Sequence, residues 1–234
     1  MATVLITGAN RGLGLGLARA YLEDGWNVIA VARQPLPEGL AAEHEGLEIH
    51  RCDLVDDGDL DRLAEVMSER VIDVLINNAG RMAKRPGADE SEGQQGFGHF
   101  DRDLWHEVFD VNLFTPMRLS ELLAESVARA PRGRIVTLSS MLGSMAMNDS
   151  GGLYAYRASK AGVNAIMKSM AIDLAELGII AVALHPGWVR TDMGGPEAPL
   201  DVETSIRGMR SVIDGLRPQD SGEFLSWDGS KLPW

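Results

Sequence analysis

The sequence predicts an α/β fold, a single-domain doubly wound parallel sheet with helices on both faces. Three observations predict it. Short apolar runs alternate along the chain with stretches of helical periodicity, which is the pattern of parallel β-α-β units. Some of those runs, notably Val71-Ile72-Asp73-Val74-Leu75-Ile76, are apolar at nearly every position, as a strand covered on both faces requires. The 234 residues are 45% hydrophobic, enough for one sizeable core, and no Pro/Gly/Ser-rich linker divides them.

The elements follow in order. Thr3–Ile6 is a β-branched strand that runs straight into Thr7-Gly8-Ala9-Asn10-Arg11-Gly12-Leu13-Gly14. From there Leu13, Leu17, Ala20 and Tyr21 recur at helical spacing and predict a helix over Leu13–Asp24. Further strands are expected at Val28–Ala32, Leu47–His50, Val71–Ile76, Arg134–Leu138 and Ile179–Leu184, with a short last one around Gly222–Ser226. Helical patterns occupy Gly58–Glu69, Leu104–Ala130, Tyr154–Leu177 and Asp201–Gly215. The ligand crevice of such a sheet lies outside the carboxyl ends of its strands.

The first strand–glycine–helix junction carries chemistry of its own. Glycine permits a tight turn and close backbone approach, while the free N–H groups and positive end of the next helix face an anion such as a pyrophosphate. The bland alternative is an ordinary glycine-rich turn. A second signal is Tyr156 with Lys160, since a helical offset of four puts a phenol and an ammonium on one face. A fixed cation favours the ionised phenol and brings a side chain of ordinary pKa near ~10 towards acid–base work. Tyr154, with Ala158 at the same offset, gets no such help.

Other chemistries find no support. The histidines His44, His50, His99, His106 and His185 lack metal-ligand spacing, so no metal site is expected. Asp53-Leu54-Val55-Asp56-Asp57-Gly58 begins like a calcium loop but has Val55 third and Ala64 twelfth, where ligands are required. Ser139-Ser140 lacks the Gly-x-Ser-x-Gly elbow of a hydrolase nucleophile. Cys52 stands alone and is read as a half-buried structural thiol. A net charge of −12 argues against nucleic acid and anionic membranes as partners. No apolar run approaches a membrane span and the opening residues lack signal-peptide character, so a cytoplasmic location is the expectation.

Taken together, Thr7-Gly8-x-x-x-Gly12-x-Gly14, Asn77-Asn78-Ala79-Gly80, Ser139-Ser140, Tyr156-x-x-x-Lys160 and Pro186-Gly187, in this order and over nearly the whole chain, resemble the short-chain dehydrogenase/reductase family. Residues 151–160 and 186–195, with the ending Leu232-Pro233-Trp234, are similar to its C-factor and sniffer-type carbonyl reductases. The resemblance implies a Rossmann-type sheet and a catalytic set of Asn112, Ser140, Tyr156 and Lys160. Tyr156 would exchange a proton with the carbonyl oxygen, Lys160 would lower the Tyr156 pKa and bond the nicotinamide ribose, and Ser140 would hold the carbonyl oxygen. Asn112, on a helix implied to be locally distorted, would position a water linking Lys160 to solvent. Strand alternation guarantees only that Ser139 and Ser140 point differently, and the family pattern assigns Ser140; a strand-end serine bonding its own turn is the alternative.

The same resemblance implies a dinucleotide held by Gly8, Asn10, Arg11, Gly12, Leu13 and Gly14, then by Arg33, Asp53, Leu54, Asn78, Ala79 and Gly80. Tyr156, Lys160, Pro186, Gly187, Val189 and Thr191 would hold its nicotinamide end. Asn77 either joins that wall or braces the central strands. Asp53 is read as an adenine contact, with a helix cap as the alternative. Arg33 and Arg11, with Ala32 where NAD-preferring relatives carry an acid and no carboxylate opposing the arginines, favour NADP over NAD. The stretch around 192–205, Gly- and Pro-rich over Gly194–Leu200, reads as a mobile substrate lid. Arg81–Asp103 reads as a substrate rim or a solvated loop, and Trp188, Met193, Met141 and Leu142 suggest an apolar site. The expected activity is carbonyl reduction on a small or medium apolar carbonyl, with a nucleotide-sensing signalling protein as the rival. A homodimer or homotetramer, paired through the helices at Leu104–Ala130 and Tyr154–Leu177, is implied by the family.

Overall fold

The fold is described from a computed structural model covering residues 1–82 and 96–234. One sheet of seven parallel strands organises it: β1 (Thr3–Thr7), β2 (Asn27–Ala32), β3 (Leu47–Arg51), β4 (Val74–Asn77), β5 (Arg134–Leu138), β6 (Ile180–His185) and β7 (Phe224–Ser226). Their spatial order is β3-β2-β1-β4-β5-β6-β7, and every neighbouring pair is parallel. The order reverses between β1 and β4, which makes the crevice at their carboxyl ends the place for a ligand.

Alternate strand residues face opposite layers. Val4, Ile6, Val28, Ala30, Val182 and Leu184 pack with Leu17, Tyr21, Ile206 and Met209 of helices α1 (Gly12–Glu23) and α7 (Val202–Gly215). Leu5, Ile29, Leu75, Ile135 and Ala181 face the other way, onto helices α3 (Asp57–Met67), α5 (Thr115–Ala128) and α6 (Tyr154–Asp173). Two apolar layers buried on either side of one sheet explain why its strands read as nearly continuous apolar runs.

The boundaries differ from expectation in instructive places. The Val71–Ile76 run pairs only from Val74, because Asp73 is used as a corner whose carboxylate accepts from the Thr3 N–H at 2.8 Å. A four-residue helix, α2 (Leu40–Glu43), precedes β3. The single helix expected over Leu104–Ala130 is α4 (Arg102–Phe109), a π-helical turn at Asp110–Phe114, and then α5. Pro116 supplies the cause: it has no N–H to return to the carbonyl of residue 112, so the α-helical ladder breaks there. Helix α6 stops at Asp173, with a 3₁₀ turn over Ala175–Leu177 and Gly178 in the left-handed region behind it. Cys52 is fully buried rather than half-buried, and burial pushes its thiol up to about 11. Most of the Arg81–Asp103 rim, residues 83–95, lies outside the described residues.

Candidate active site

The glycine turn is built so that only glycine fits. Gly8 and Gly12 sit at φ +67° and +55°, and a Cβ on Gly14 would collide with the Gly8 carbonyl. Arg11 occupies the N-cap of α1 without a side-chain cap, so the helix presents its first N–H groups to the crevice. Asn78 locks the turn from β4: its Nδ2 donates to the Thr7 carbonyl at 2.7 Å, while the Thr7 hydroxyl accepts from the Asn78 and Ala79 N–H groups at 3.1 and 3.0 Å. Asn77 points away from the crevice and braces strands, donating to Ser120 Oγ at 3.0 Å and Thr137 Oγ1 at 3.2 Å.

A cleft of about 500 Å³ opens above this turn. The residues expected at a dinucleotide line it almost throughout: Gly8, Asn10, Arg11, Gly12, Leu13 and Gly14, then Arg33, Asp53 and Leu54, then Asn78, Ala79 and Gly80, and finally Tyr156, Lys160, Pro186 and Thr191. Gly187 and Val189 stand behind the lining. Gly187, at φ +88°, lies where a Cβ would strike Leu200, and buried Val189 bridges to Leu200. Asp192, Met193 and Val202, from the stretch expected to form the substrate lid, also line the cleft, and Gln34, Val55, Val111 and Leu138 join them without having been anticipated. The ends of the apolar runs gave the only signal for them, because strand ends converge on this edge.

Asp53 caps nothing; Asp56 caps α3 by accepting from the Asp59 N–H at 2.8 Å. The expectation that no carboxylate opposes the two arginines is wrong. Arg11 pairs with Asp192 at 2.5 Å and Arg33 with Asp53 at 3.9 Å, contacts between residues too distant in sequence to be read from it. Both pairs are largely solvent-exposed, so each holds its arginine weakly.

At the other end of the cleft, the two serines make different bonds, and Ser139 is the one whose residue lines the cleft. Ser139 Oγ turns inward and donates to Asn164 Oδ1 at 2.6 Å on α6, whereas Ser140 hydrogen-bonds the Tyr156 phenol. Ser140 Oγ also accepts from the Leu142 N–H at 3.2 Å, so the strand-end turn and the phenol share one hydroxyl. Lys160 Nζ donates to the Leu138 carbonyl at 2.8 Å and lies 5.8 Å from the centre of the Tyr156 ring. The expected depression of the phenol by that ammonium is not found: burial pushes Tyr156 up to about 12, with only the Ser140 bond working against it. Burial likewise brings Lys160 down to about 8.

Asn112 sits in the π-helical turn, fully buried. Its amide grips the backbone of Arg81, accepting from the N–H at 2.7 Å and donating to the carbonyl at 2.9 Å, and it reaches Ser159 Oγ at 3.0 Å. It therefore fixes the chain just after Gly80, against the Lys160 side chain. The segment after Pro186 is tied to itself: Trp188 Nε1 donates to the Gly194 carbonyl at 2.8 Å and Arg190 Nη1 to the Ala198 carbonyl at 2.9 Å. Met193 is the one member of the suggested apolar set, with Trp188, Met141 and Leu142, that lines this cleft.

The family model for short chain dehydrogenase matches residues 2–199. C-signal of Myxococcus xanthus is 41% identical over 163 residues, covering 70% of this chain and 93% of that protein. Among solved structures, the carbonyl reductase Sniffer of D. melanogaster superposes with a TM-score of 0.87 at 35% identity over the whole of both chains. The NADPH-bound carbonyl reductase from chicken fatty liver gives 0.87 at 30%, covering 100% of this chain and 99% of that one.

Proposed function

The chain belongs to the short-chain dehydrogenase family, and from that premise we propose that it is an NADP-dependent carbonyl reductase. The observation that carries this reading is one continuous cleft with two different ends. Exposed Arg11 and Arg33 mark one end, while Tyr156 and Lys160 mark the other, beside Ser140. The residues fit such a cofactor: a Cβ-free cradle at Gly8 and Gly14 under the N–H groups of α1 suits a pyrophosphate, and the arginines suit the additional phosphate of NADP.

When bound, the nicotinamide supplies or accepts the hydride. The chain does the rest. Ser140 holds the carbonyl oxygen, and Tyr156 donates its phenolic proton to that oxygen as the carbon is reduced. A phenol pushed up by burial stays protonated at neutral pH and is available to donate. Lys160 would bind the nicotinamide ribose, and Asn112 holds the backbone beside it. Gly187, Val189 and Thr191 back the nicotinamide end, and the stretch around 192–205 acts as the substrate lid. The substrate is a small or medium apolar aldehyde, ketone or quinone-like carbonyl, taken in the cytoplasm by a homodimer or homotetramer; no nucleic acid or membrane is a partner. No helix among the described residues is long and apolar enough to cross a membrane.

Tyr156→Phe should abolish NADPH oxidation with every member of a carbonyl panel while leaving NADPH binding nearly intact; residual turnover at the wild-type rate would overturn the assignment. The likeness to C-signal supports a second reading, a signalling protein that senses nucleotide in the same cleft. Wild-type protein that binds NADPH but turns over nothing on the panel would favour it.

A further inference from the structure

Helix α6 presents three side chains along one face, Arg157, Lys160 and Asn164, at offsets of three and seven residues. Together they hold the end of β5 and the turn that follows it. Lys160 Nζ donates to the Leu138 carbonyl, Arg157 Nη1 donates to the Leu142 carbonyl at 3.3 Å, and Asn164 Nδ2 donates to the Gly143 carbonyl at 3.4 Å. Ser140 lies inside this turn. Gly143 is pressed so closely on the Lys160 backbone that a Cβ would stand 2.7 Å from the Lys160 carbonyl carbon.

Arg157 alone of the three also reaches the other limb of the loop. Its Nη2 donates to Ser150 Oγ at 2.8 Å and its Nε to the Gly151 carbonyl at 3.2 Å. That limb is unusual, because Gly151, Gly152 and Leu153 all have positive φ, at 65°, 63° and 49°. Leu153 is the one non-glycine residue in that region among the described residues, and such backbone persists only when its surroundings hold it. Met145 and Met147, between the two limbs, are exposed beside the serine-bearing turn.

We propose that Arg157 is a positioning residue of the active site: its guanidinium ties the turn carrying Ser140 to the entry of α6, and so sets the serine hydroxyl on the Tyr156 phenol and fixes the loop between the two limbs as the substrate-side wall. Arg157 does not line the cofactor cleft, so its effect is on the carbonyl substrate and not on the dinucleotide. The Ser140 hydrogen bond is what works against burial at the phenol, so a drifting turn moves the ionisation of Tyr156 upward.

This inference rests on the reductase reading, and wild-type turnover on a panel of aromatic aldehydes, aliphatic ketones and ortho-quinones is measured first. No wild-type turnover sinks that reading and this one together. With wild-type turnover established, Arg157→Gln should lower kcat/KM for the carbonyl about tenfold to a hundredfold with NADPH dissociation changed less than about twofold. The pH profile of alcohol oxidation should move to higher pH, and Arg157→Lys should recover part of the loss. Should Arg157→Gln fail to fold, Ser150→Ala, which removes a single bond of the clamp, carries the same test in milder form. A loss of rate that only follows the folded fraction, with the profile unmoved, or an equal loss of NADPH affinity, would overturn the proposal and leave the reductase reading standing.

Discussion

The ionisation of Tyr156 and Lys160 is ruled by burial more than by their mutual attraction, and this has a thermodynamic signature. Lys160 titrates near 10.5 when unfolded and at about 8 in the fold. The unfolded chain therefore holds the extra proton between those values, so this side chain's contribution to stability is fullest above 10.5 and is lost as pH falls through about 8. Wild-type stability should rise relative to Lys160→Met across that window, by up to roughly 1.4 kcal/mol per pH unit, in urea midpoints taken at several pH values. A constant difference would refute the assignment. The arginines make the second prediction at this scale. Arg33→Asp should raise the Michaelis constant for NADPH far more than for NADH in steady-state kinetics, because it replaces a cation held loosely by Asp53 with a repelling carboxylate. Equal effects on both cofactors would remove the NADP preference. The offset of Tyr156 and Lys160 was legible as a pair of residues on one helical face. Their ionisation was not, since spacing reports neighbours along a helix and says nothing about how deeply both are buried.

At the scale of elements, the glycine turn and the interrupted helix show what a linear reading captures. Thr7 to Gly14 announced itself because Gly8 and Gly12 answer a local backbone demand, and the structure adds the close packing at Gly14 and the cross-strand lock by Asn78. Gly14→Ala should weaken NADPH binding by an order of magnitude or more while lowering the melting temperature, as its Cβ meets the Gly8 carbonyl and the Asn78 amide. Fluorescence titration and calorimetry would measure the two, and unchanged values would contradict the tight packing described. The π-helical turn was open to inference from Pro116, which removes a hydrogen bond from any helix that runs through it, but apolar residues continue on both sides, at Leu113 and at Leu119 and Leu123, and conceal the break. The distortion puts Asn112 in reach of the Arg81 backbone, a contact that depends on where the chain after β4 returns.

Across the whole molecule, the parallel sense of the strands was legible, since strands alternating with helical crossovers leave a parallel sheet as the answer, although their order was not. The pairs Arg11–Asp192 and Arg33–Asp53, by contrast, exist only once the loops after β1, β2, β3 and β6 have converged. The same convergence makes the cleft a joint between loops from both sides of the β1–β4 reversal. A ligand there fastens both halves, and NADPH at a hundred times its dissociation constant should stabilise the fold by about 2.7 kcal/mol. The chain also carries its own reporter of that effect. Cys52 is its sole thiol, sealed beneath the sheet edge and held in its unreactive form. Alkylating reagents can reach it only through transient openings, so the pace of alkylation counts those excursions directly, with no cysteine engineered into the chain, and saturating dinucleotide should slow that clock.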